Sequence, residues 1–464
     1  MPKYTESRRN FIKMAGLAGA GLTTATSSIF NLRNLGALAG GYTSNKGDYK
    51  ALICLFLEGG ADSFNMLVPL ENNAYKTYTE TRSNLALPQD QLRQINPLNV
   101  AGVPYGVHPA MDGIQNLFNQ GKLCFLNNIG TLVNPITKQQ FYDEAVPAPL
   151  GLFSHSDQIN QWQTAITNQR LVKGWAGRMS DLLADVNTNP NISMNISFNG
   201  ANTFQSSNNN VEYTVNNGGA TGLMGYFDMY NNGIERRRAI DTLMNNVYSN
   251  PFKDTYTKIF KNSLDSSIQF QTAIDEVEDF NTTFSDTYLS GNMRMIAKII
   301  AAREKLGFTR QIFFINYGGW DTHDELLDNQ SYLFNEVDNA ITELHQVLSE
   351  LNMIDSVVTF SMSEFGRTLT SNGNGTDHAW GGNVFAMGGP VKGNNFYGQY
   401  PSLLLEDELE LGGGVLIPTL ANDLYFAELA KWFGVPDSDL NTVFPNIGNF
   451  YSIGSGAPIG FLNI

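Results

Sequence analysis

The chain reads as an α/β protein built on a mostly parallel central sheet with helices on both faces. Three observations predict this. Several short runs are apolar throughout rather than alternating, which is the pattern of strands buried on both faces. Segments of helical period lie between them. Polar, glycine-rich clusters follow the runs directly, at the strand ends where open parallel sheets bind their ligands.

Residues 1–39 have the form of an export signal. Ser7-Arg8-Arg9-Asn10-Phe11-Ile12-Lys13 is a twin-arginine pattern. The Gly/Ala-rich stretch Met14–Phe30 behind it is short for a membrane span, and Ala37-Leu38-Ala39 offers a small-x-small cleavage site. No Cys follows the apolar stretch, so no lipid anchor is expected. The pattern predicts that the twin-arginine machinery exports a folded chain to the periplasm or beyond, without a stable membrane anchor. Residues 40–49 are a Gly/Ser/Asn linker, and 50–464 form a single domain.

Within that domain the apolar run Ala51–Leu57 ends in Glu58-Gly59-Gly60-Ala61-Asp62. Similar runs occupy Leu123–Asn127, Gln311–Asn316 and Ser356–Ser361, with a weaker one at Val384–Met387. His108-Pro109 opens a helix through Asn119, closed by Gly121. Residues 293–305 form another, and Gln330 to Leu351 a longer one, with Phe334, Val337, Ile341, Leu344, Leu348 and Leu351 spaced by three and four. Residues 200–290 differ. Turn-rich segments there precede helical patterns at Arg236–Tyr248 and Asp254–Glu276, which reads as a largely helical insertion or cap. A last helix ends at Phe433.

Charge narrows the partners. The 464 residues carry 29 Lys/Arg against 44 Asp/Glu, a net −15, and without the signal the balance is near −19. Nucleic acid is excluded as a partner, because phosphate binding needs a basic surface. Carboxylates are, in contrast, what divalent cations bind. The two cysteines, Cys54 and Cys124, sit inside apolar runs and read as small buried hydrophobes, a disulfide between them being the alternative.

The chemistry collects after the strands. Glu58-Gly59-Gly60-Ala61-Asp62-Ser63 permits a sharp turn beside a carboxylate, although Asp62 serves equally as a helix cap. Gly318-Gly319-Trp320-Asp321-Thr322-His323-Asp324 places Asp321 and His323 two apart on a loop, where both can face one cation. Ser363-Glu364-Phe365-Gly366-Arg367-Thr368 follows the next strand, with Glu364 open to a salt bridge with Arg367. Gly375-Thr376-Asp377-His378-Ala379-Trp380 supplies a second Asp-His pair far away in sequence. With only five histidines in the chain, two such pairs at successive strand ends predict a shared metal or anion site. Phe153-Ser154-His155-Ser156-Asp157, before a helix over Gln158–Ile166, offers either a helix cap or a nucleophile at a helix N-terminus. His108 and His345 read as structural.

These pieces together resemble the twin-arginine-exported family of domain of unknown function 1501. The resemblance rests on the signal, on Gly-Gly-Ala-Asp-Ser-Phe-Asn at 59–65, Ser-His at 154–155 and Gly-Trp-Ala-Gly-Arg at 174–178. It continues through Gly-Gly-Trp-Asp-Thr-His at 318–323, Ser-Glu-Phe-Gly-Arg-Thr at 363–368 and Thr-Asp-His at 376–378. The family is in turn similar to the alkaline phosphatase and sulfatase superfamily. That likeness shows in His108-Pro109-Ala110-Met111-Asp112 through Gly121–Phe125 and implies an alkaline-phosphatase-like fold.

The resemblance implies a metal-dependent hydrolase of a phosphate or sulfate ester, with a small anionic or sugar-linked substrate. One or two divalent cations (zinc, manganese or calcium) would be held by Asp62, Asp321, His323, Glu364, Asp377 and His378, with Glu58 the runner-up to Asp62. The catalytic group would be drawn from Ser154, His155 and Ser156, and Arg178 or Arg367 would clamp the anion. Two departures point to a non-catalytic alternative, an exported binding or surface-assembly protein. Phe365 stands where the superfamily has a ligating His, and no Cys/Ser-x-Pro-x-Arg sequence is present.

Overall fold

A computed structural model describes residues 48–464 apart from Ala101, Asn210, 224–225 and 227–231. The twin-arginine segment, its cleavage site and most of the linker lie outside the described residues. Tyr49–Ile464 forms one compact unit.

The described residues form thirteen strands. They are β1 (Lys50–Leu57), β2 (Leu67–Pro69), β3 (Arg93–Ile95), β4 (Tyr105–Val107), β5 (Leu123–Gly130), β6 (Asn195–Ser197), β7 (Tyr213–Asn216), β8 (Gly219–Ala220), β9 (Arg310–Tyr317), β10 (Val357–Met362), β11 (Gly382–Gly388), β12 (Phe396–Tyr397) and β13 (Leu420–Ala421). The eight helices that matter here are α1 (Asp112–Asn119), α2 (His155–Thr164), α3 (Trp175–Leu182), α4 (Gly233–Asn245), α5 (Pro251–Asp275), α6 (Tyr288–Ala301), α7 (Leu326–Glu350) and α8 (Asn422–Phe433).

The main sheet runs β12-β5-β11-β10-β1-β9-β6-β7-β8, with β13 also on β5. Its pairings are parallel except those made by β11 and β8. β1 lies at the centre, in register with β9 on one side and β10 on the other. Its alternate residues feed two cores. Ala51, Ile53, Leu55 and Leu57 join the cluster that contains α1, α6 and α7, while Leu52, Cys54 and Phe56 join the one that contains α3 and α8. A strand with a hydrophobic core on each face needs apolar residues at every position, which is why 51–57 does not alternate.

The mostly parallel α/β fold with helices on both faces is as the sequence predicts, and the differences are local. Val384–Met387 belongs to β11, which is antiparallel to both neighbours. No helix lies between β10 and β11, so the chain returns from the edge at which it left, and a direct return reverses the strand. The helix expected from His108 starts at Asp112, after a turn in which Met111 N donates to the His108 carbonyl. Residues 293–305 divide into α6, capped by the Thr287 side chain on Ser290 N, and a separate turn at Arg303–Leu306 that ends at Gly307 (φ +73°). The three-residue strand β6 lies outside the apolar runs, where Ile192, Met194, Ile196 and Phe198 alternate in the manner of a strand.

The helical patterns of the 200–290 region form α4 and α5. α5 lies against the far edge of the sheet, where Gln271 Oε1 accepts from Ala220 N at 3.1 Å and Ser266 Oγ donates to the Asn191 carbonyl at 3.3 Å. Cys54 and Cys124 are both buried and free, without a disulfide. No helix among the described residues is long and apolar enough to cross a membrane.

His108 is buried beneath the Phe334 ring, 5.0 Å between centroids, and its Nδ1 accepts from Ala110 N at 3.1 Å. Burial pushes its pKa down to about 4. Protonation therefore favours the unfolded chain, so the stabilising effect is complete above about pH 6.5 and is lost as pH falls toward 4. The loss amounts to about 3 kcal/mol. In urea titrations His108→Asn should lose correspondingly less stability than wild type between pH 7 and 4.5. Equal acid sensitivity of the two proteins would show that the shift does not contribute.

Candidate metal centre

Three turns meet at the carboxyl ends of β1, β9 and β10. The turn after β1 nests against the turn after β9, where Trp320 N donates to the Glu58 carbonyl at 3.2 Å. That approach requires Gly59 (φ +126°): a Cβ there would lie 2.3 Å from Asp321 N. At Gly60 (φ +80°) a Cβ would lie 2.3 Å from the Phe365 ring. The long β10–β11 loop folds into a hairpin of its own. Gly366 N donates to the Trp380 carbonyl and Ala379 N to the Gly366 carbonyl, and Arg367 bridges His378 across the pair. Thr376 N then donates to the Thr322 carbonyl at 3.1 Å, which sets the second Asp-His pair beside the first.

His155 arrives from the other side of the site. Phe153 adopts φ +72°, its N–H donates to Gln158 Oε1 at 2.8 Å, and Gln158 Nε2 donates to Thr131 Oγ1 beyond the end of β5. This lock fixes the first turn of α2 and points the His155 ring into the cluster.

The side chains that meet are His155, Asp321, His323 and His378. His155 Nε2 is 3.5 Å from Asp321 Oδ2. Asp321 Oδ1 is 3.3 Å from His378 Nε2 and 3.2 Å from His323 Nε2, and the two Nε2 atoms are 3.0 Å apart. One ligand atom from each of His155, Asp321 and His378 falls within 4.8 Å of the others. Each imidazole is held from behind at Nδ1: His155 by Glu364 Oε1 at 2.8 Å, His323 by Asp377 Oδ1 at 3.1 Å, and His378 by the Phe153 carbonyl at 2.8 Å. A carbonyl only accepts, so His378 carries its proton on Nδ1, and a carboxylate imposes the same tautomer on the other two. The three rings therefore turn their Nε2 atoms toward one another and toward a carboxylate, that of His323 lying 3.5 Å from Arg367 Nη1. Acceptors gathered in this way can take a cation among them.

The fit to a metal can be tested on the separations. Zinc binds nitrogen and carboxylate oxygen at about 2.0–2.2 Å, so neighbouring donors of a tetrahedral set lie roughly 3.3–3.5 Å apart. The separations among Asp321 Oδ1 and the Nε2 atoms of His323 and His378, 3.0, 3.2 and 3.3 Å, lie near that edge, and His155 Nε2 stands 3.5 Å from the other oxygen, Asp321 Oδ2. The donors fit a divalent ion.

Charge is arranged to suit. Despite its partial burial, Asp321 is held below the ordinary carboxylate range by the Arg367 hydrogen bond and by neighbouring positive charge. His155 is raised by its hydrogen bond to Glu364 against the opposing effect of burial, whereas burial lowers His378. Side-chain exposure increases outward, from 0% for Glu364 and Arg367 to 24% for His378, 43% for His323 and 47% for Asp321, so the site opens on the His323 side.

Several expected roles change. Asp62 is not a ligand. Its Oδ2 is paired at 2.5 Å with Arg82 Nη2, both side chains fully buried, and its Oδ1 accepts from Phe64 N. Glu58, the runner-up, accepts from Asn316 Nδ2 at 2.6 Å instead. Glu364 and Asp377 stand behind His155 and His323, because their oxygens meet Nδ1. His155, expected among the catalytic groups, brings its Nε2 to the ligand cluster. Ser154 and Ser156 have their hydroxyls 3.2 Å from each other. Arg178 is no anion clamp: it donates to the carbonyls of Val443, Lys173 and Thr164, and burial pulls its pKa down to about 10. Arg367 is no clamp either, since its donors go to the carbonyls of Gly59, Gly60, Trp320 and Thr376, to Asp321 and to His323.

The rarity of histidine, which singled out His323, applied equally to His155. Arg82 had no comparable signal, because it closes a polar helix and meets Asp62 only in the tertiary structure.

A mostly parallel α/β sheet with an imidazole–carboxylate centre on its carboxyl edge defines the class of this molecule. Residues 231–411 match the profile of a family described as a protein of unknown function, DUF1501, as the sequence motifs indicated. No curated protein matches the chain. Among solved structures the chain is similar to Ps i-CgsB in complex with k-i-k-neocarrahexaose, at 10% identity over 87% of this chain and 77% of that one, TM-score 0.33. It is similar to the PsFucS1 sulfatase from Pseudoalteromonas sp., at 11% identity over 89% and 72%, TM-score 0.34. It is also similar to the lipoteichoic acid synthase LtaP from Listeria monocytogenes, at 8% identity over 81% and 78%, TM-score 0.29.

Asp62→Asn separates a structural from a ligating role. It leaves Arg82 buried without its counter-charge and should cost roughly 3–5 kcal/mol of stability. Metal content of the folded fraction, read by elemental analysis, should be unchanged. A drop in metal content would return Asp62 to the ligand set.

Proposed function

We propose that the protein is an exported metal-dependent hydrolase of a phosphate or sulfate ester, with His155, Asp321, His323 and His378 holding a divalent cation. The observation that carries this reading is the convergence of three imidazole Nε2 atoms on one carboxylate while every Nδ1 is held by an acceptor. Each ring spends Nδ1 on an acceptor behind it and turns Nε2 toward the shared centre, the arrangement of a ligating histidine. Export rests on the twin-arginine pattern at residues 7–13.

When bound, a divalent cation supplies Lewis acidity and lowers the pKa of a water toward neutrality. The chain's own residues do the rest. Glu364 and Phe153 fix the tautomers of His155 and His378. Arg367 keeps Asp321 ionised and oriented. His323 and Asp377 line the exposed side, where a substrate enters. The N-terminus of α2 supports an anionic substrate group: the side chain of Ser154, its N-cap, makes no capping bond to the backbone of the first turn, so N–H groups there remain for a ligand.

Two observations favour the second reading, a binding protein without turnover. The Ser154 and Ser156 hydroxyls contact each other, and both candidate arginine clamps are committed to the backbone. The two readings part in one experiment. Protein purified without chelator is assayed for metal and against a panel of phosphate and sulfate esters. Metal together with hydrolysis that disappears in His378→Ala supports the hydrolase, and metal without turnover supports the binding protein.

His155→Ala and His378→Ala should each abolish stoichiometric binding, and Glu364→Gln should weaken it about 10–100-fold. Affinity should also fall as pH drops through the raised pKa of His155, since protons compete for the same lone pair. Unchanged metal content in His323→Ala and His378→Ala would remove the ligand assignment.

A further inference from the structure

Helix α5 carries one apolar stripe along its length and buries only half of it. Near its C-terminal end Phe270 and Ile274 are buried in the core cluster that also holds α6 and α7. Phe252 stands eighteen residues before Phe270, about five turns, and therefore on the same side of the helix. Tyr256 and Ile259 follow Phe252 at four and seven residues, which keeps them on that side. Here the stripe is bare: Phe252 is 87% exposed, Tyr256 64% and Ile259 65%. α4 does not cover it. Lys261, which the helical period puts on the opposite side, donates to Asn245 Oδ1 of α4 at 2.6 Å. Leu243 of α4 and Val247 just beyond it are exposed as well.

The surrounding charge is unlike that of the rest of the chain. From Ile234 to Lys261 six Lys/Arg stand against three Asp/Glu, a net +3 within a protein at −15. By the helical period Lys253 and Lys258 lie on the two flanks of the bare stripe, and both are exposed. Lys258 is 2.7 Å from Asp254 Oδ2, an exposed i,i+4 pair that an external anion can replace at little cost. Exposed aromatic and aliphatic residues between cationic flanks are the pattern of a helix that lies in a membrane interface.

We propose that the first half of α5, with the end of α4, is a docking face for the surface of an anionic lipid bilayer. Phe252, Tyr256 and Ile259 enter the boundary between headgroups and acyl chains, and Lys253 and Lys258 meet lipid phosphates. A bilayer offers an apolar layer and a plane of negative charge together, which matches both features of the face. A second copy matches only one, because pairing the stripe with itself would set two positive segments against each other. The proposal is independent of the metal centre, whose residues lie outside this region.

The test is flotation with lipid vesicles. Protein lacking residues 1–39 is used, so that the apolar signal stretch cannot contribute; the compact unit begins at Tyr49. It should float with vesicles of three parts phosphatidylcholine to one part phosphatidylglycerol and stay unbound with phosphatidylcholine alone. Binding should fall as salt rises to about 0.5 M. The triple variant Phe252→Ser, Tyr256→Ser, Ile259→Ser should bind roughly tenfold or more weakly. Lys253→Gln and Lys258→Gln should each cost about fivefold, and they decide the matter should the triple variant not fold. No binding to the anionic vesicles would overturn the proposal, as would equal binding to neutral ones. Full binding by the variants would show that lipid attaches elsewhere. Dimers in sedimentation velocity that disappear in the triple variant, without vesicle binding by wild type, would give the face to a second copy instead.

Discussion

The buried Arg367 guanidinium is the interaction on which the rest of the site depends. It joins the turn after β1, through the Gly59 and Gly60 carbonyls, to the turn after β9, through Asp321, and to its own loop, through Thr376. Backbone carbonyls at strand ends have lost their ladder partners, and burying them unpaired is costly. A single fully buried cation satisfies several at once. The charge then needs a counter-ion, and Asp321 supplies it. The same carboxylate faces three imidazoles, so the group that neutralises the floor also forms the centre of the site.

The sheet makes this convergence possible. β1, β9 and β10 are adjacent and parallel, so their carboxyl ends open on one edge within a few strand spacings. β11 runs the other way, and that reversal keeps residues 363–381 on the same edge. A helical crossover would have carried Asp377 and His378 away from it. The Arg367–His378 bridge then folds the loop so that a residue just after β10 and one just before β11 lie side by side. Two glycines complete the fit, Gly59 and Gly60, each in a position where a Cβ would collide with a neighbouring turn.

Two groups of charges behind the strand ends have different consequences. Asp62–Arg82 is closed on itself, so its partners satisfy each other and nothing is left for a ligand. At the imidazole cluster each carboxylate meets an imidazole as well as another partner: Glu364 takes Gly59 N and His155, Asp377 takes Asn372 and His323, and Asp321 takes Arg367 and all three rings. The difference is invisible in composition, since both groups consist of acidic residues after a strand, and only their partners distinguish them.

The sequence by itself determined the α/β class, the central strands and the loops that carry chemistry, because those depend on local pattern. Uninterrupted apolar runs require burial on both faces, and Gly-rich polar segments after them require turns at an exposed edge. It also marked His323, Asp321, Asp377 and His378, since a scarce residue repeated in similar contexts is informative. What it could not determine was the division of labour. Whether a carboxylate ligates, supports a ligand or neutralises an arginine depends on contacts across 20 residues of chain, as for Asp62 with Arg82, or 209, as for His155 with Glu364. Whether an arginine grips a substrate or the backbone depends on which carbonyls the folding of three loops leaves around it. Those choices belong to the tertiary structure, because hydrogen bonding and ion pairing act over about 3 Å of space whatever the separation along the chain.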